Sequence, residues 1–504
     1  MDVSPLPEQR RGIRPARAES PAARLRIAGS PFQEVRSLRW AHDLGPPDAL
    51  ANWRILELQR RRVANLVFIL YLATLSVDAI RKVAGAPSSI LAVIYVITAL
   101  IYITVIPAIA GRNQVAPQAV PRLLPVWLFL LSLWCLAVAV AQHIPLEMAL
   151  LGWVSYVFFV PLLYVGAELA ADDRLTGKAL RVAAMSGGLV GAGAIASAVL
   201  GQSAPALLQP IVSVAGIHSF TAGNVYLAPS IFATAEEASE QLLIALFAWA
   251  ALTYLPGRIT RPRLWLLLGA LIVSGLLVVA RRTDVYVAIA GIVAALILGQ
   301  AGTRTSVPAL RIPASARRGA TRTRRRLGAS IIFAVAGAVV LVFLLGDTIL
   351  ASFLVSGSPA SRIALIFSVP NSGSLIGQGP GTSTQGIAIV DAVSTSMGTG
   401  LDSSASYVLA GRTFITVEGG LAKVWLELGI VGVALYGAIF WTALTPAIRS
   451  LRRLDGVGTA LALLAIALGI IFLKGHQSLD DPLIQPLFWL ITGGIWGRTR
   501  RPAG

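Results

Sequence analysis

Long apolar stretches without a formal charge are the feature that most constrains how this chain folds. Residues 123–140 and 264–280 are two examples. Because a helix rises ~1.5 Å per residue, runs of ~17–20 apolar residues are long enough to cross the hydrocarbon core of a bilayer. Only 13% of the 504 residues are charged and the mean hydropathy is +0.74, which excludes an ordinary water-soluble protein. We therefore predict an all-α polytopic membrane protein.

Hydropathy and charge together divide the chain into about twelve transmembrane helices. The predicted spans are residues 63–77, 88–110, 123–141, 146–169, 180–200, 237–255, 264–280, 284–299, 329–348, 421–445, 457–473 and 483–497.

The basic residues predict the orientation of these spans. Of the 42 Lys and Arg residues, only eight fall on the side that becomes the outer side when the N-terminus is cytoplasmic. Those eight are Arg81, Lys82, Arg281, Arg282, Arg362, Arg412, Lys423 and Lys474. This bias predicts that both termini are cytoplasmic. The net charge of +18 then indicates contact with an anionic inner leaflet, and no nucleic-acid partner is expected.

The predicted domain organisation follows from the same pattern. Residues 1–62 form a basic cytoplasmic tail that lacks the apolar core of a signal peptide and is predicted to be disordered. Residues 63–497 form the transmembrane domain with a basic cytoplasmic loop at 301–328, and residues 498–504 form a second cytoplasmic tail. Cys135 is the only cysteine, so an intrachain disulfide is excluded.

Two predicted outer loops, residues 201–235 and 351–420, are longer than helix connections require. The first contains no Lys, Arg, Asp or Glu, and His218 is its one side chain that titrates near neutral pH. The second is rich in Gly and Ser and includes the segment 377–381, Gly-Gln-Gly-Pro-Gly. Loops of this length are usually functional or disordered. The segment predicts a rigid turn whose backbone approaches a ligand closely, with a flexible Gly/Ser spacer as the alternative.

Ionisable residues near the span ends cluster on the predicted outer side, and ionised groups near hydrocarbon usually serve in pairing or function. The sharpest case is Arg281 and Arg282, which lie in a very short turn. An arginine fork binds phosphate through parallel hydrogen bonds, so this pair is a candidate phosphate or diphosphate site. The alternative is structural: Arg282 pairs with Asp284 or snorkels to lipid phosphate.

Several other chemistries are excluded. The chain has no nucleotide-binding phosphate loop, no Asp-x-Asp pair and no His-Glu-x-x-His motif, so neither a metal nor a cofactor is expected. The glycines of the fifth span are predicted to be helix-packing contacts. They are Gly187, Gly188, Gly191 and Gly193.

Four segments in a fixed order resemble one family, the O-antigen ligase and O-unit polymerase superfamily of bacterial envelope glycosyltransferases. The first, residues 230–240, reads Ser-Ile-Phe-Ala-Thr-Ala-Glu-Glu-Ala-Ser-Glu, and the second, residues 280–285, contains Arg281 and Arg282. The third has the spacing Arg362, Gly373 and then Gly377-Gln-Gly-Pro-Gly381. The fourth, residues 418–432, contains Leu-Glu-Leu-Gly-Ile-Val-Gly at its end.

The resemblance implies a metal-independent glycosyltransferase that uses a polyprenyl-diphosphate-linked saccharide at the outer face of the bacterial plasma membrane. The product would be O-antigen, capsule or exopolysaccharide. Expected partners are the lipid-linked glycan, membrane lipid, and a chain-length regulator or flippase of the same pathway. Arg281 and Arg282 would be catalytic. The expected substrate-binding residues are Arg362, Arg412, Gly377, Gly379, Gly381, His218 and Glu237.

One departure from the family pattern affects the expected reaction. Ligases commonly carry a histidine before the final motif, but residues 351–475 contain none. This favours a polymerase, with Glu418 as the base that activates the acceptor hydroxyl. Glu418 could instead pair with Arg412 or Lys423, and His218 and His476 are secondary candidates. The alternative functions are ligase-like transfer to a lipid or protein acceptor, a lipid-linked sugar flippase or transporter, and a non-catalytic scaffold.

Overall fold

The computed structural model describes most of the transmembrane region and parts of the loops. The described residues are 47–85, 88–110, 123–170, 172–209, 221–222, 225–226, 228–232, 234–252, 262–279, 284–285, 287–291, 375–382, 406–409, 412–415, 420–451, 456–474 and 481–499. The chain has two units, Met1–Gln59 and Arg60–Gly504. In the first unit the described residues, from Pro47 onward, are helical.

Residues 284–285 and 287–291 are helical, and eleven helices have defined bounds. They are α1 Pro47–Ala84, α2 Ala92–Ala110, α3 Leu124–Ala141, α4 Leu146–Val157, α5 Leu162–Ala170, α6 Asp173–Leu200, α7 Ala235–Leu252, α8 Pro262–Val279, α9 Gly420–Ser450, α10 Gly456–Lys474 and α11 Gln485–Thr499. Short 3-10 turns occupy Ser88–Leu91, Gly201–Ser203 and Ala206–Leu208.

The described helices are those of a multi-pass membrane protein. Five helical segments are long and apolar enough to cross a bilayer: Arg60–Ala84, Leu124–Ala141, Met148–Ala170 (which combines most of α4 with α5), Asp173–Leu200 and Gly420–Arg449. Three shorter apolar helices are Ala92–Val105, Arg263–Val279 and Gly456–Phe472. The helical fold and the membrane class are thus confirmed. The count of twelve spans and the orientation of the termini stay predictions, since 329–348 lies outside the described residues and 284–299 is described only in part.

One predicted span, residues 146–169, is interrupted. Helix α4 ends at Val157, and α5 begins at Leu162. Between them the amide of Val160 bonds to Val157 and that of Leu162 to Phe159, three residues back, which tightens the turn. Pro161 explains the interruption because it has no amide hydrogen and disfavours helical backbone at the preceding residue.

The predicted helix-packing role of the fifth-span glycines is confirmed for Gly187, Gly188 and Gly191, which face neighbouring helices at close range, whereas Gly193 faces the Ser230 hydroxyl of the first outer loop. On α6, Gly187 faces Ala245 of α7, and Gly191 faces the Leu271 carbonyl of α8. Gly188 faces Leu268 of α8. Small residues let helix backbones approach closely in a membrane, where van der Waals packing drives helix association.

A second glycine contact joins α5 and α11. Gly493 faces the Leu163 carbonyl, and Gly166 faces the Leu490 carbonyl. Next to it, α9, α10 and α11 share an aromatic core with ring centroids 4.5–6.2 Å apart. Its members are Tyr436, Phe440, Phe472, Phe488 and Trp489.

Ionic contacts join three segments at one end of the bundle. Arg60 donates to the Glu168 carbonyl at 3.0 Å and lies 3.9 Å from Asp172, whose carboxylate caps α6. Arg498 of α11 donates to Asp173 at 2.8 Å. Arg60 near the first span, the residues between α5 and α6, and the end of α11 therefore meet.

Two small hairpins lie in the predicted outer loops, and the sequence analysis did not predict them. β1, Thr221–Ala222, pairs with β2, Val225–Tyr226. β3, Ser406–Leu409, pairs with β4, Arg412–Ile415. Both pairs are antiparallel, and the rest of the described regular structure is helical.

Candidate functional site at an interrupted helix

Helix α9 is interrupted at Gly429, where φ is +68° and ψ is −169°. This region of backbone space is essentially restricted to glycine. An interruption removes the helical bonds that would cross it, so carbonyl groups before Gly429 and an amide after it need other partners. In hydrocarbon this need is strict, because non-helical backbone is tolerated only where protein or water satisfies it.

A turn from the second outer loop supplies partners for the interrupted helix. We call residues 375–382 the glycine turn. Its Gln378 amide donates to the Leu426 carbonyl at 2.7 Å, and its Gly379 amide donates to the Glu427 carbonyl at 2.9 Å. The carbonyls on the N-terminal side of the gap are thus satisfied by a segment about fifty residues earlier in the chain.

Two further backbone groups at the interruption also have partners outside the helix. The Ile430 amide, on the far side of the interruption, donates to the Leu375 carbonyl at 3.3 Å. The Leu428 carbonyl accepts from the indole N–H of Trp134, on α3, at 2.7 Å. The glycine turn and one tryptophan therefore supply partners for four backbone groups at the interruption.

The glycines of the turn face the protein at very close range. Gly377, Gly379 and Gly381 all have positive φ, of +85°, +116° and +80°. Side chains at these positions would collide with the Glu427 carbonyl, with Ile144 and with the Met148 carbonyl, respectively. The predicted rigid turn is confirmed, and its close approach is to α9 and α4. A direct contact with substrate by these glycines stays a prediction.

The side chain of Glu427 lies under the turn and is fully buried, at 0% exposure. Its Oε2 accepts from the Tyr156 hydroxyl at 2.8 Å and from the Gly381 amide at 3.0 Å. The Lys423 ammonium lies 3.8 Å from Oε1 and 5.4 Å from the centre of the Tyr156 ring. A buried carboxylate is costly without a countercharge and donors, and this one has both.

A second polar group lies around the end of α1, on the predicted outer side. The Lys82 ammonium donates to the carbonyls of Leu207 and Ser230, at 3.3 and 3.0 Å. The Ser230 hydroxyl donates in turn to the Val190 carbonyl of α6 at 2.8 Å. These bonds tie both described ends of the first outer loop to the bundle.

Glu237, a predicted substrate-binding residue, belongs to this second group. Its carboxylate accepts from the Thr234 amide at 3.0 Å while its own amide donates to the Thr234 hydroxyl at 3.3 Å, which is a capping box at the start of α7. Glu237 also hydrogen-bonds Asp78 and interacts with the carboxyl group of Asp481. We call Asp78, Glu237 and Asp481 the carboxyl cluster.

Arg81 extends the carboxyl cluster, donating to Asp78 at 2.9 Å. A short chain of bonds leads from the cluster to Glu427: the Gln485 amide donates to the Asp481 carbonyl at 3.1 Å, and the Gln485 side chain donates to the Ser155 carbonyl at 2.5 Å. Ser155 precedes Tyr156, the residue that bonds Glu427. The two polar groups are thus neighbours joined by the start of α11.

Most of the other predicted site residues lie outside the described residues. They are Arg281, Arg282, Arg362, His218 and Glu418, together with the secondary candidate His476. Arg412 begins β4 opposite Leu409. Asp284, the proposed alternative partner of Arg282, is buried and accepts a hydrogen bond from Ser239.

The sequence analysis did not assign a role to Tyr156 or Glu427, and it considered Lys423 only as an alternative partner of Glu418. A signal for two of them was present, because Lys423 and Glu427 are four residues apart in an apolar stretch and so lie on one helix face. No such signal marks Tyr156, which is an aromatic residue in an apolar span like many others. Lys82 likewise acquires its hydrogen-bond partners from distant segments, whereas Asp78 pairs with Arg81 three residues away as well as with Glu237 of α7.

Among the described residues, no group of three or more His, Cys, Asp or Glu side chains is arranged to hold a metal ion. Neither a protein-family model nor a curated protein sequence matches this chain.

Proposed function

We propose that the protein elongates a polysaccharide by transferring a saccharide from a polyprenyl diphosphate carrier at the outer face of a bacterial plasma membrane. One observation carries the proposal. The glycine turn and the α9 segment around Glu427, which belong to two of the four segments with the family resemblance, bind each other through backbone and side chain. Segments that resemble a family and also contact one another support a shared site better than either segment alone.

The proposed chemistry is an inverting displacement at the anomeric carbon. The acceptor hydroxyl oxygen forms the new bond to that carbon while the bond to the diphosphate oxygen breaks. Glu418 takes the hydroxyl proton, a role that typically contributes ~10²–10⁴-fold in rate. Arg281 and Arg282, with Arg362 or Arg412, neutralise the diphosphate as it leaves. The polyprenyl diphosphate is released into the membrane.

The described helices suit a substrate with a long isoprenoid chain. Apolar side chains such as Phe68, Leu72, Phe129 and Leu133 are exposed on α1 and α3. In a multi-pass protein these side chains face lipid, so the carrier can approach the outer end of the bundle from within the bilayer.

The decisive experiment supplies purified protein in nanodiscs with an extracted polyprenyl-diphosphate oligosaccharide. Chelator is present, nucleotide is omitted, and products are resolved by gel and mass spectrometry. A ladder of lengthened lipid-linked glycan is the expected result. Transfer of a single unit to a different acceptor would instead establish a ligase, and unchanged substrate with folded protein would contradict glycosyl transfer.

The arginine assignment is tested in the same assay with the double variant Arg281→Ala/Arg282→Ala. Loss of electrostatic stabilisation at the leaving group predicts a fall of ~10²–10³ in rate. Arg317→Ala/Arg318→Ala, an adjacent pair in the predicted cytoplasmic loop, is the matched control and is expected to keep the parent rate. Parent activity in the Arg281/Arg282 variant would remove this pair from the mechanism.

A lipid-linked sugar transporter is the second candidate, and the carboxyl cluster favours it. Asp78 and Asp481 are buried, and transporters use buried carboxyl groups for ion coupling. One turn beyond Glu237, the buried Gln241 amide has no hydrogen-bond partner among the described residues. Translocation of a lipid-linked oligosaccharide across proteoliposomes, driven by a proton gradient and lost in Asp78→Asn, would favour this candidate over transfer.

A further inference from the structure

We propose that α1, α6 and α8 together form a binding surface for the headgroup of an anionic phospholipid, through Arg62, Arg174, Lys178 and Arg263. All four side chains are exposed. Within the part of the chain that the structure describes, none of the four makes an ion pair, so their charges are available to a ligand. Lipid binding at this surface does not depend on the proposed function.

Helices α1 and α6 run in the same direction, which places their basic residues at one end of the bundle. Arg60 lies 3.9 Å from Asp172, just before α6. Further along both helices, the Tyr71 hydroxyl lies 2.6 Å from the Ser186 hydroxyl. Two contacts in the same order along both chains mean that the helices are parallel. Arg62 of α1 is therefore level with the first turn of α6.

Helix α8 runs parallel to α6 as well. Gly188 of α6 faces Leu268 of α8, and three residues further along each helix Gly191 faces the Leu271 carbonyl. Arg263 precedes Leu268 by five residues, so it lies towards the end of the bundle where α6 begins. The basic residues of all three helices thus share one end.

One face of α6 changes from cationic to apolar along the helix. Arg174, Lys178, Met185 and Leu189 follow one another at intervals of four, seven and four residues, so they lie on a single face. We call these four residues the α6 stripe. Met185 and Leu189 are 64% and 76% exposed, as expected for side chains that face lipid. Charges at the helix start followed by exposed apolar side chains match the order of headgroup and acyl chains in a phospholipid.

The neighbouring helices flank the α6 stripe. At ~100° per residue, its members lie between Ser186, which contacts α1, and Gly188, which faces α8. The two neighbours repeat the pattern of the stripe, because α1 carries Arg62 and α8 carries Arg263 at the shared end. Further along, both present exposed apolar side chains, among them Phe68 and Leu267. Cations from three helices therefore border one lipid-facing surface.

Two acidic residues at this end of the bundle are already paired within the protein. Asp172 caps α6 and lies near Arg60, and Asp173 accepts from Arg498 at 2.8 Å. The cations of the surface thus keep a surplus of positive charge. Arginine binds phosphate oxygens through parallel hydrogen bonds, and basic pockets between transmembrane helices bind anionic headgroups. The predicted orientation places this end in the cytoplasmic leaflet, whose surface is negatively charged.

The experiment measures lipid binding to the full-length protein in a neutral detergent. Phosphatidylglycerol is titrated, and the lipid retained by each protein molecule is measured by native mass spectrometry. Phosphatidylcholine with the same acyl chains is the reference. We expect the parent protein to bind phosphatidylglycerol more tightly than phosphatidylcholine. In Arg174→Gln/Lys178→Gln/Arg263→Gln the affinity for phosphatidylglycerol should fall by ~10²-fold, because each basic residue near a charged membrane surface contributes roughly 5-fold.

A matched control removes the same charge from another part of the chain. Arg324→Gln/Arg325→Gln/Arg326→Gln replaces three arginines of the predicted cytoplasmic loop, and it is expected to keep the parent affinity for phosphatidylglycerol. Thermal melting without added lipid checks that both triple variants are folded. If the first is not, the single variants Lys178→Gln and Arg263→Gln replace it, and each should bind phosphatidylglycerol roughly 5-fold more weakly than the parent.

Three outcomes would overturn the proposal. Equal affinity of the parent protein for the two lipids would show that the headgroup charge is not recognised. Equal losses of affinity in the two triple variants would show that phosphatidylglycerol responds to net charge alone. Displacement of phosphatidylglycerol by an equal concentration of glycerol phosphate, which lacks acyl chains, would show a site for a soluble phosphate in place of a lipid.

Discussion

Helices α5 and α11 rely on glycine for close backbone contact, and so does α9 at its interruption, yet the two regions surround their glycines differently. Between α5 and α11 both backbones are regular helices, so their polar groups are already paired and the contact needs only space. At Gly429 the helix is broken, and the freed groups bind the glycine turn and Trp134. Glycine alone is enough for a helix contact, whereas the break also needs donors, acceptors and a buried charge.

The largest expected effect comes from a substitution in the second region, at the interruption of α9. Gly429→Ala places a side chain in a backbone conformation reserved for glycine and drives it into the Leu375 carbonyl. We expect a loss of at least ~3 kcal/mol in unfolding free energy, measured by detergent titration. Gly437→Ala, on the same helix with nothing within 4 Å of the added carbon, is the matched control. It should be neutral or stabilise by ~0.5–1 kcal/mol. Equal effects at the two positions would contradict the assigned break.

The next largest effect is expected in the first region, where substitutions at two adjacent glycines of α11 are compared. Gly493→Ala pushes against the Leu163 carbonyl of α5, so the helices must separate, and we expect a loss of ~1–3 kcal/mol. Gly494→Ala meets only ordinary contacts, at 3.5 Å from Leu461 and 3.6 Å from Ala170, and should change stability little. Thermal melting of both variants in one detergent provides the comparison. A larger loss of stability in the Gly494 variant than in the Gly493 variant would contradict the close contact between Gly493 and the Leu163 carbonyl.

The smallest effect compares two tryptophan hydrogen bonds. Trp134→Phe leaves the Leu428 carbonyl without its partner beside the interruption, and we expect a loss of ~1–2 kcal/mol. Trp496→Phe removes a similar bond of 2.9 Å to the Ala443 carbonyl, which lies in the continuous part of α9. That carbonyl keeps its helical bond, so the loss should be ~0.5 kcal/mol. Chemical unfolding of both variants measures the difference. Equal losses of stability would mean that the Leu428 carbonyl does not depend on Trp134 for a hydrogen bond.

The helices were predictable because each is specified by local sequence. A run of apolar residues must be helical in a bilayer wherever it occurs, and α3, α6 and α8 lie where the predicted spans do. The glycine turn was predictable for the same reason, since Gly-Gln-Gly-Pro-Gly restricts its own backbone. The break before Pro161 could also have been predicted from the sequence, because proline disfavours a helix at the preceding residue. The span 146–169 was nevertheless predicted as one helix.

The candidate site was predictable only in part. Glu237 and the glycine turn were chosen from the sequence, and the structure gives both of them contacts within the protein. Glu427, Lys423 and Tyr156 were not chosen, because the contacts that distinguish them come from residues far away in sequence. Nothing in the sequence near Tyr156 specifies a glutamate 271 residues later as its hydrogen-bond partner.

The sequence by itself determined the membrane class, the helical fold and the rigid turn, because hydrophobicity and glycine or proline backbone restrictions act over a few residues. Only the tertiary structure decided what the turn binds and which charges are buried. Those outcomes depend on unpaired polar groups finding partners where water is scarce. Leu426 and Glu427 find theirs in a turn about fifty residues away, and that pairing exists only once the helices have packed.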